Sequence, residues 1–224
     1  MTLEQIIKKL KSQANPKNVA GMARFGINSK NTLGVSIPII RSLAKTIGCD
    51  HSLALKLWAT KIHEARILAA LIDDHKLVTT KQMDSWVRDF DSWDICDQVC
   101  SNLFDKTPFA WAKAIEWSRR KEEFIKRAGF VLMATLAVHD KQVGDKSFLK
   151  FFPYLRKEAT DPRNFVKKAV NWALRQIGKR SLFLNIKIIA LCREIQKLDS
   201  TSAKWIASDA LRELREKSQK LAKK

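Results

Sequence analysis

HSLALKLWATKIHEARILAALID spans residues 51–73. Its apolar residues recur at helical spacing over 51–59 and again over 62–73, with only a short connection between the two runs. That is a pair of α-helices, and neither of them can bury its apolar side alone. Working outward, the same unit recurs in both directions. LEQIIKKLKS places Leu3, Ile6, Ile7 and Leu10 on one helical face. Pro38 can open IIRSLAKTIG, with Gly48 near its end. Further helices are expected over 80–90, 93–103, the AWAKAIEWS that follows Pro108, 121–139, 181–198 and 202–217. SFLKFFPYLRKEA continues the series, with Pro153 kinking it or shifting its start. Asp161-Pro162 reads as the entry into RNFVKKAVNWALRQI, with Gly178 as its stop. GINSKNTLGVS, residues 26–36, reads as a loop because of its two glycines and several turn formers.

Strand-like alternation is almost absent, so the fold class is all-α. Helix pairs recur at roughly 30–40 residues, the pattern of an α-solenoid in which neighbouring pairs build a continuous core; an irregular helical bundle is the alternative. The 224 residues, 46% of them hydrophobic, can supply a sizeable core. No Gly/Ser/Pro-rich linker divides them, which predicts a single domain over 1–224 with a basic tail frayed at 217–224. Mean hydropathy is −0.24 and no apolar run approaches the length of a membrane span. The amino terminus lacks the pattern of a secretory signal. Cys49, Cys96, Cys100 and Cys192 are too scattered for a disulfide framework, so a reducing cytoplasm is the simpler setting.

Charge is the broadest functional clue. The chain carries 42 Lys and Arg against 23 Asp and Glu, a formal net charge of +19. Residues 1–100 hold 14 basic and 10 acidic residues, and residues 101–224 hold 28 and 13. So strong a bias suits a polyanion, nucleic acid first and an anionic membrane surface second. Candidate contacts are Arg119, Arg120 and Lys121, then Lys167 and Lys168, and Lys179 with Arg180. A charge run is also what an ordinary solvated face looks like.

Against that background DSWVRDFDSWDICDQVC, residues 84–100, gathers five aspartates and two tryptophans. Trp93 and Asp97 stand four residues apart on the helix expected after Ser92, and so share a face. Ser92 is a plausible N-cap, and Asp94 complements the helix dipole. Asp84, Asp89 and Asp91 read as helix-end or loop residues. Lys168, Trp172 and Arg175 form a second aromatic surface bordered by cations. Arg127 interrupts a helix suited to burial, either as a lateral solvent-facing residue or internal salt bridge, or as a guanidinium that holds a phosphate or orients a carboxylate. Trp58, Trp86, Trp111, Trp117 and Trp205 read as packing residues. The four histidines and the CDQVC pair match no metal-ligand spacing, and no phosphate-binding glycine loop or GxSxG elbow is present. No metal and no nucleotide cofactor are expected.

MARFGI, LGVSIPIIRSLAK, LALKLWATKIHEARILAALI, WDICD, RRKEEFIKRAGFVLM and FVKKAVNWALRQIGK occur in an order that resembles the bacterial DNA alkylation repair glycosylases of the AlkD type. The resemblance covers nearly the whole chain. It implies a right-handed α-solenoid of HEAT-like repeats with a concave basic face, working as a monomer on double-stranded DNA. It also implies a monofunctional glycosylase that hydrolyses the N-glycosidic bond of cationic N3- or N7-alkylated purines. The family's catalytic tryptophan and aspartate fall on Trp93 and Asp97, its second aromatic wall on Trp172 and its site arginine on Arg127. An amino-terminal aromatic falls on Phe25, a ring without a hydroxyl. Asp97 would stabilise the charge growing on the deoxyribose, and the indole faces would meet the cationic nucleotide, each such contact being worth about 0.5–2 kcal/mol. The resemblance implies capture on the surface rather than flipping into a deep pocket. Some relatives lack the active residues, so a catalytically inactive protein that binds branched or distorted DNA is the alternative. A protein–protein scaffold anchored on Trp93 and Trp172 is a third.

Overall fold

A computed structural model describes residues 1–221, the last five of them by backbone alone. The frayed tail expected at 217–224 lies outside the fully described residues. Thirteen α-helices and two 3-10 turns make up the described chain, which contains no strand. The chain divides into two compact units, 1–107 and 108 onward.

The first unit holds α1 (Leu3–Ser12), α2 (Pro16–Arg24), α3 (Ile37–Ile47), α4 (His51–Ala59), α5 (His63–Ile72), α6 (Thr80–Arg88) and α7 (Trp93–Asn102). α4 and α5 are the pair that the sequence announces. Nine of the ten residues of α5 are buried, as suits a helix apolar almost all round, and it packs against α3, α4 and α7. Burial of a Leu or Ile such as Leu68 or Ile67 contributes roughly 1.5–3 kcal/mol, so Leu68→Ala would strike the centre of this unit. Beneath it Trp58 and Trp86 stack with ring centroids 4.0 Å apart and planes 2° from parallel. These two indoles are core residues, as expected.

α2 is a helix where none is expected. Its start is written in the sequence, since Asn15 accepts hydrogen bonds from the amides of Lys17 and Asn18 at 3.0 and 3.2 Å and Pro16 stands in the first turn. None of its residues is buried.

The second unit holds α8 (Ala110–Ser118), α9 (Glu123–His139), α10 (Phe152–Glu158), α11 (Asn164–Arg180), α12 (Leu182–Gln196) and α13 (Thr201–Leu221). α9 is its central helix, packed on α8 and α11, and α11 packs in turn on α12 and α13. Pro153 shifts a start rather than making a kink, standing in the first turn of α10 behind a 3-10 turn at 145–151. Gly178 is not a stop. α11 runs through it to Arg180, and a Cβ there would lie 2.8 Å from both Cδ atoms of Leu214, so the residue serves the close approach of α13.

Candidate nucleic-acid interface

In the first unit Trp93 opens α7. The indole N–H donates to the backbone carbonyl of Phe25 at 3.0 Å, which brings two of the expected site residues together. The Phe25 ring is 73% exposed although the residue is tied down, an arrangement that core packing does not explain. Asp97 follows one turn along α7, half-buried, its carbonyl accepting the Ser101 hydroxyl at 2.6 Å. Cys96 and Cys100 face inward. Burial first, then Cys96 and the charge of Asp97, push the Cys100 thiol well above its ordinary range, which keeps it unreactive.

The other acids of this stretch have partners that their own sequence does not announce. Asp94 meets the buried His63, whose Nε2 lies 2.8 Å from Asp94 Oδ2. Burial opposes the charged imidazole, but the hydrogen bond and charge of Asp94, with Glu64 and Asp91 nearby, outweigh it and raise the His63 pKa. Asp89 accepts from the Trp58 indole at 2.8 Å, and its carbonyl accepts from Arg66 at 3.1 Å. The Arg66 guanidinium in turn lies over Trp58, 5.1 Å from the ring centroid. Asp91 accepts from the Asn28 amide at 2.8 Å. Ser92 takes the N-cap position of α7, but no side-chain capping bond forms, because its hydroxyl turns to Asp91 at 3.3 Å.

Glu64 explains how the loop carrying Phe25 is held. Its carboxylate is buried and accepts the backbone amides of Leu33, Gly34 and Val35 at 2.6–3.2 Å. Gly34 has φ +77° and a Cβ there would fall 2.3 Å from the Asn15 carbonyl, so the loop passes too close to α2 for any other residue. Glu64 and Asp94 are both the second residue of their helix, and each reaches a partner 31 positions back, Leu33 and His63. The Trp58–Asp89 bond has the same separation of 31. The repeat expected from sequence is therefore visible in the polar contacts of the first unit.

In the second unit Arg127 is buried in α9 and donates to the Phe165 carbonyl at 2.7 Å. Beside it Lys126 bridges Glu158 and Asp161, and Arg163 grips Asp161 at 2.6 and 2.9 Å. Burial would raise the Asp161 carboxyl, but the Arg163 and Lys126 hydrogen bonds take it down to about 2. Trp172 stands half-buried on α11. Arg175 and Lys179, one and two turns further on, both reach Glu213 of α13 at 2.6 Å.

The remaining basic candidates separate by environment. Arg119, Arg120, Lys121 and Lys168 are exposed, Arg120 being paired with Glu122 at 2.7 Å. Lys167 sits over the Trp205 ring, 4.8 Å from its centroid, and Trp205 is 41% exposed, which makes it a surface residue rather than the packing residue expected. Arg180 turns inward, donating to Asp145 and to the carbonyls of Ala137, Asp140 and Val143 at 2.6–3.1 Å. No group of His, Cys, Asp and Glu among the described residues could hold a metal ion, and no described helix is long and apolar enough to cross a membrane.

A family model described as DNA alkylation repair enzyme matches residues 6–214. A solved structure is similar over 95% of this chain and 95% of its own, with a TM-score of 0.79 and 17% identity. It is described as "A new family of proteins related to the HEAT-like repeat DNA glycosylases with affinity for branched DNA structures". At that identity the likeness concerns the fold, an all-α arrangement of HEAT-like helical repeats. No curated protein matches.

Proposed function

Because the chain belongs to the DNA alkylation repair enzyme family, we propose that it binds DNA with a bent, branched or otherwise distorted backbone, holding it through phosphates. The observation that carries this reading is the charge distribution. Residues 101–224 carry 28 basic against 13 acidic residues, and Arg119, Arg120, Lys121 and Lys168 are exposed among them. Phosphate contacts supply affinity without sequence preference, and a distorted backbone lets more of them form at once. The solved structure of similar fold is described as belonging to proteins with affinity for branched DNA, which is in keeping with this reading.

A second reading, base excision, is favoured by one specific feature: Trp93 and Asp97 share a face of α7, and the Trp93 indole is oriented by the Phe25 carbonyl. In this reading a cationic N3- or N7-alkylated purine leaves with the electron pair of its N-glycosidic bond and becomes neutral. Asp97, ionised, stabilises the positive charge growing on the deoxyribose and orients a water toward the anomeric carbon. The water oxygen bonds to that carbon, its proton is released, and an abasic site remains. Trp93 offers its π face to the cationic nucleotide.

One experiment separates the two. Wild type and Asp97→Asn are compared for binding to a four-way junction and to a linear duplex, and for release of free methylated purine from methylated duplex. Junction preference without base release supports the first reading. Release by wild type that is lost in Asp97→Asn, with binding retained, supports the second. Equal affinity for junction and linear duplex overturns the preference for distorted DNA.

A further inference from the structure

Two of the cations nearest Trp172 along α11 are already occupied by a single acid. Arg175 Nη1 and Lys179 Nζ each lie 2.6 Å from a different oxygen of Glu213. The three side chains are 28–32% exposed, so the cluster lies at the surface and open to an incoming anion. Arg175 is also incompletely satisfied among the described residues, since its Nε is buried with no hydrogen-bond partner there.

The arrangement is poorly explained as a staple between α11 and α13. Those helices are already held by Asn171, whose amide donates to the Ile206 carbonyl at 3.1 Å, and by the packing of Leu214 against Gly178. Ion pairs that stay about one-third open to water contribute only modestly to stability. What Glu213 does supply is an oxyanion placed between two cations, the position a phosphate oxygen would take. The Lys179 and Arg175 hydrogen bonds hold its carboxyl below the ordinary range, against the effect of burial, so it remains ionised at neutral pH.

We propose that Glu213 is a built-in competitor for DNA phosphate, holding Arg175 and Lys179 closed until a phosphate displaces it. This rests on the DNA-binding reading above. The clasp raises the threshold for weak, non-specific binding, because each contact made by these cations must first replace an internal one. It makes Glu213 a determinant of selectivity without any contact of its own to DNA.

The test compares wild type, Glu213→Gln, and Glu213→Gln combined with Lys179→Gln, each titrated at low salt into an undamaged linear duplex and into a four-way junction. Glu213→Gln should bind the linear duplex about three- to tenfold more tightly, as expected for freeing the cations of two half-buried ion pairs, and should discriminate less between the two DNAs. The added Lys179→Gln should remove most of the gain. Unchanged or weaker binding by Glu213→Gln, with wild type binding normally, overturns the clasp and leaves a structural ion pair. If no protein of the set binds either DNA, the DNA-binding reading falls and takes the clasp with it. Thermal melting of each variant separates lost folding from lost binding.

Discussion

The Trp93 indole and the Phe25 carbonyl, 68 residues apart in sequence, are joined by a 3.0 Å hydrogen bond that fixes an aromatic helix start to an exposed aromatic loop. The bond lies at the surface, so its role is orientation more than stability. Trp93→Phe keeps an aromatic ring and removes the donor. Urea denaturation should show a loss of about 0.5–1.5 kcal/mol. DNA affinity, measured on the same preparation, should fall severalfold, more than so small a change in stability can explain.

Glu64 has the opposite character. Glu64→Ala would leave the amides of Leu33, Gly34 and Val35 without their acceptor, two of them buried, at a cost of about 3 kcal/mol or more. The expected outcome is a large fall in melting temperature, accompanied by early proteolytic cleavage within residues 26–36.

The His63–Asp94 pair predicts a pH dependence of definite sign. The folded pKa of His63 is raised above its ordinary 6.5, so its contribution is complete below that value and is lost as pH rises through the folded one. Stability measured by denaturant titration from about pH 6 to pH 9 should therefore decline for wild type. His63→Gln, which keeps a donor but cannot titrate, should be less stable by about 1–3 kcal/mol at the acid end. The gap should narrow toward the alkaline end.

Lys121 and Lys168 are exposed cations, and both stand in the strongly basic part of the chain. Neutralising either as glutamine should weaken binding to all DNA sequences alike and lower the salt slope by about 1. Arg180→Gln should act differently, reducing melting temperature rather than the salt slope, because its guanidinium is committed to Asp145 and three carbonyls.

The helices were legible because burial writes a period into the sequence. HSLALKLWA and HEARILAALI give α4 and α5 nearly to the residue. PKNVAGMAR buries nothing, and its start is marked by Asn15 and Pro16. The polar partners were hidden for another reason. A glutamate at the second position of a helix looks like dipole chemistry, and Glu64 shows that it can instead hold a backbone loop 31 residues earlier. Asp94 and Asp89 repeat the lesson with His63 and Trp58. A contact from one repeat to the next has no local spacing to betray it. Likewise Lys179 and Arg180 are adjacent and look equivalent in sequence, yet successive helical positions point about 100° apart, one toward Glu213 and the other inward.

The near-parallel stack of Trp58 and Trp86 has a consequence for watching this molecule unfold. Indoles 4.0 Å apart couple their electronic transitions, so the pair absorbs and emits differently from two isolated chromophores. That spectral signature belongs to the first unit alone and disappears when α4 and α6 separate. Followed against Trp117, which is buried in the second unit, it becomes an internal clock. Superimposable traces would mean one cooperative transition, and a lag between them would give the order in which the two halves melt.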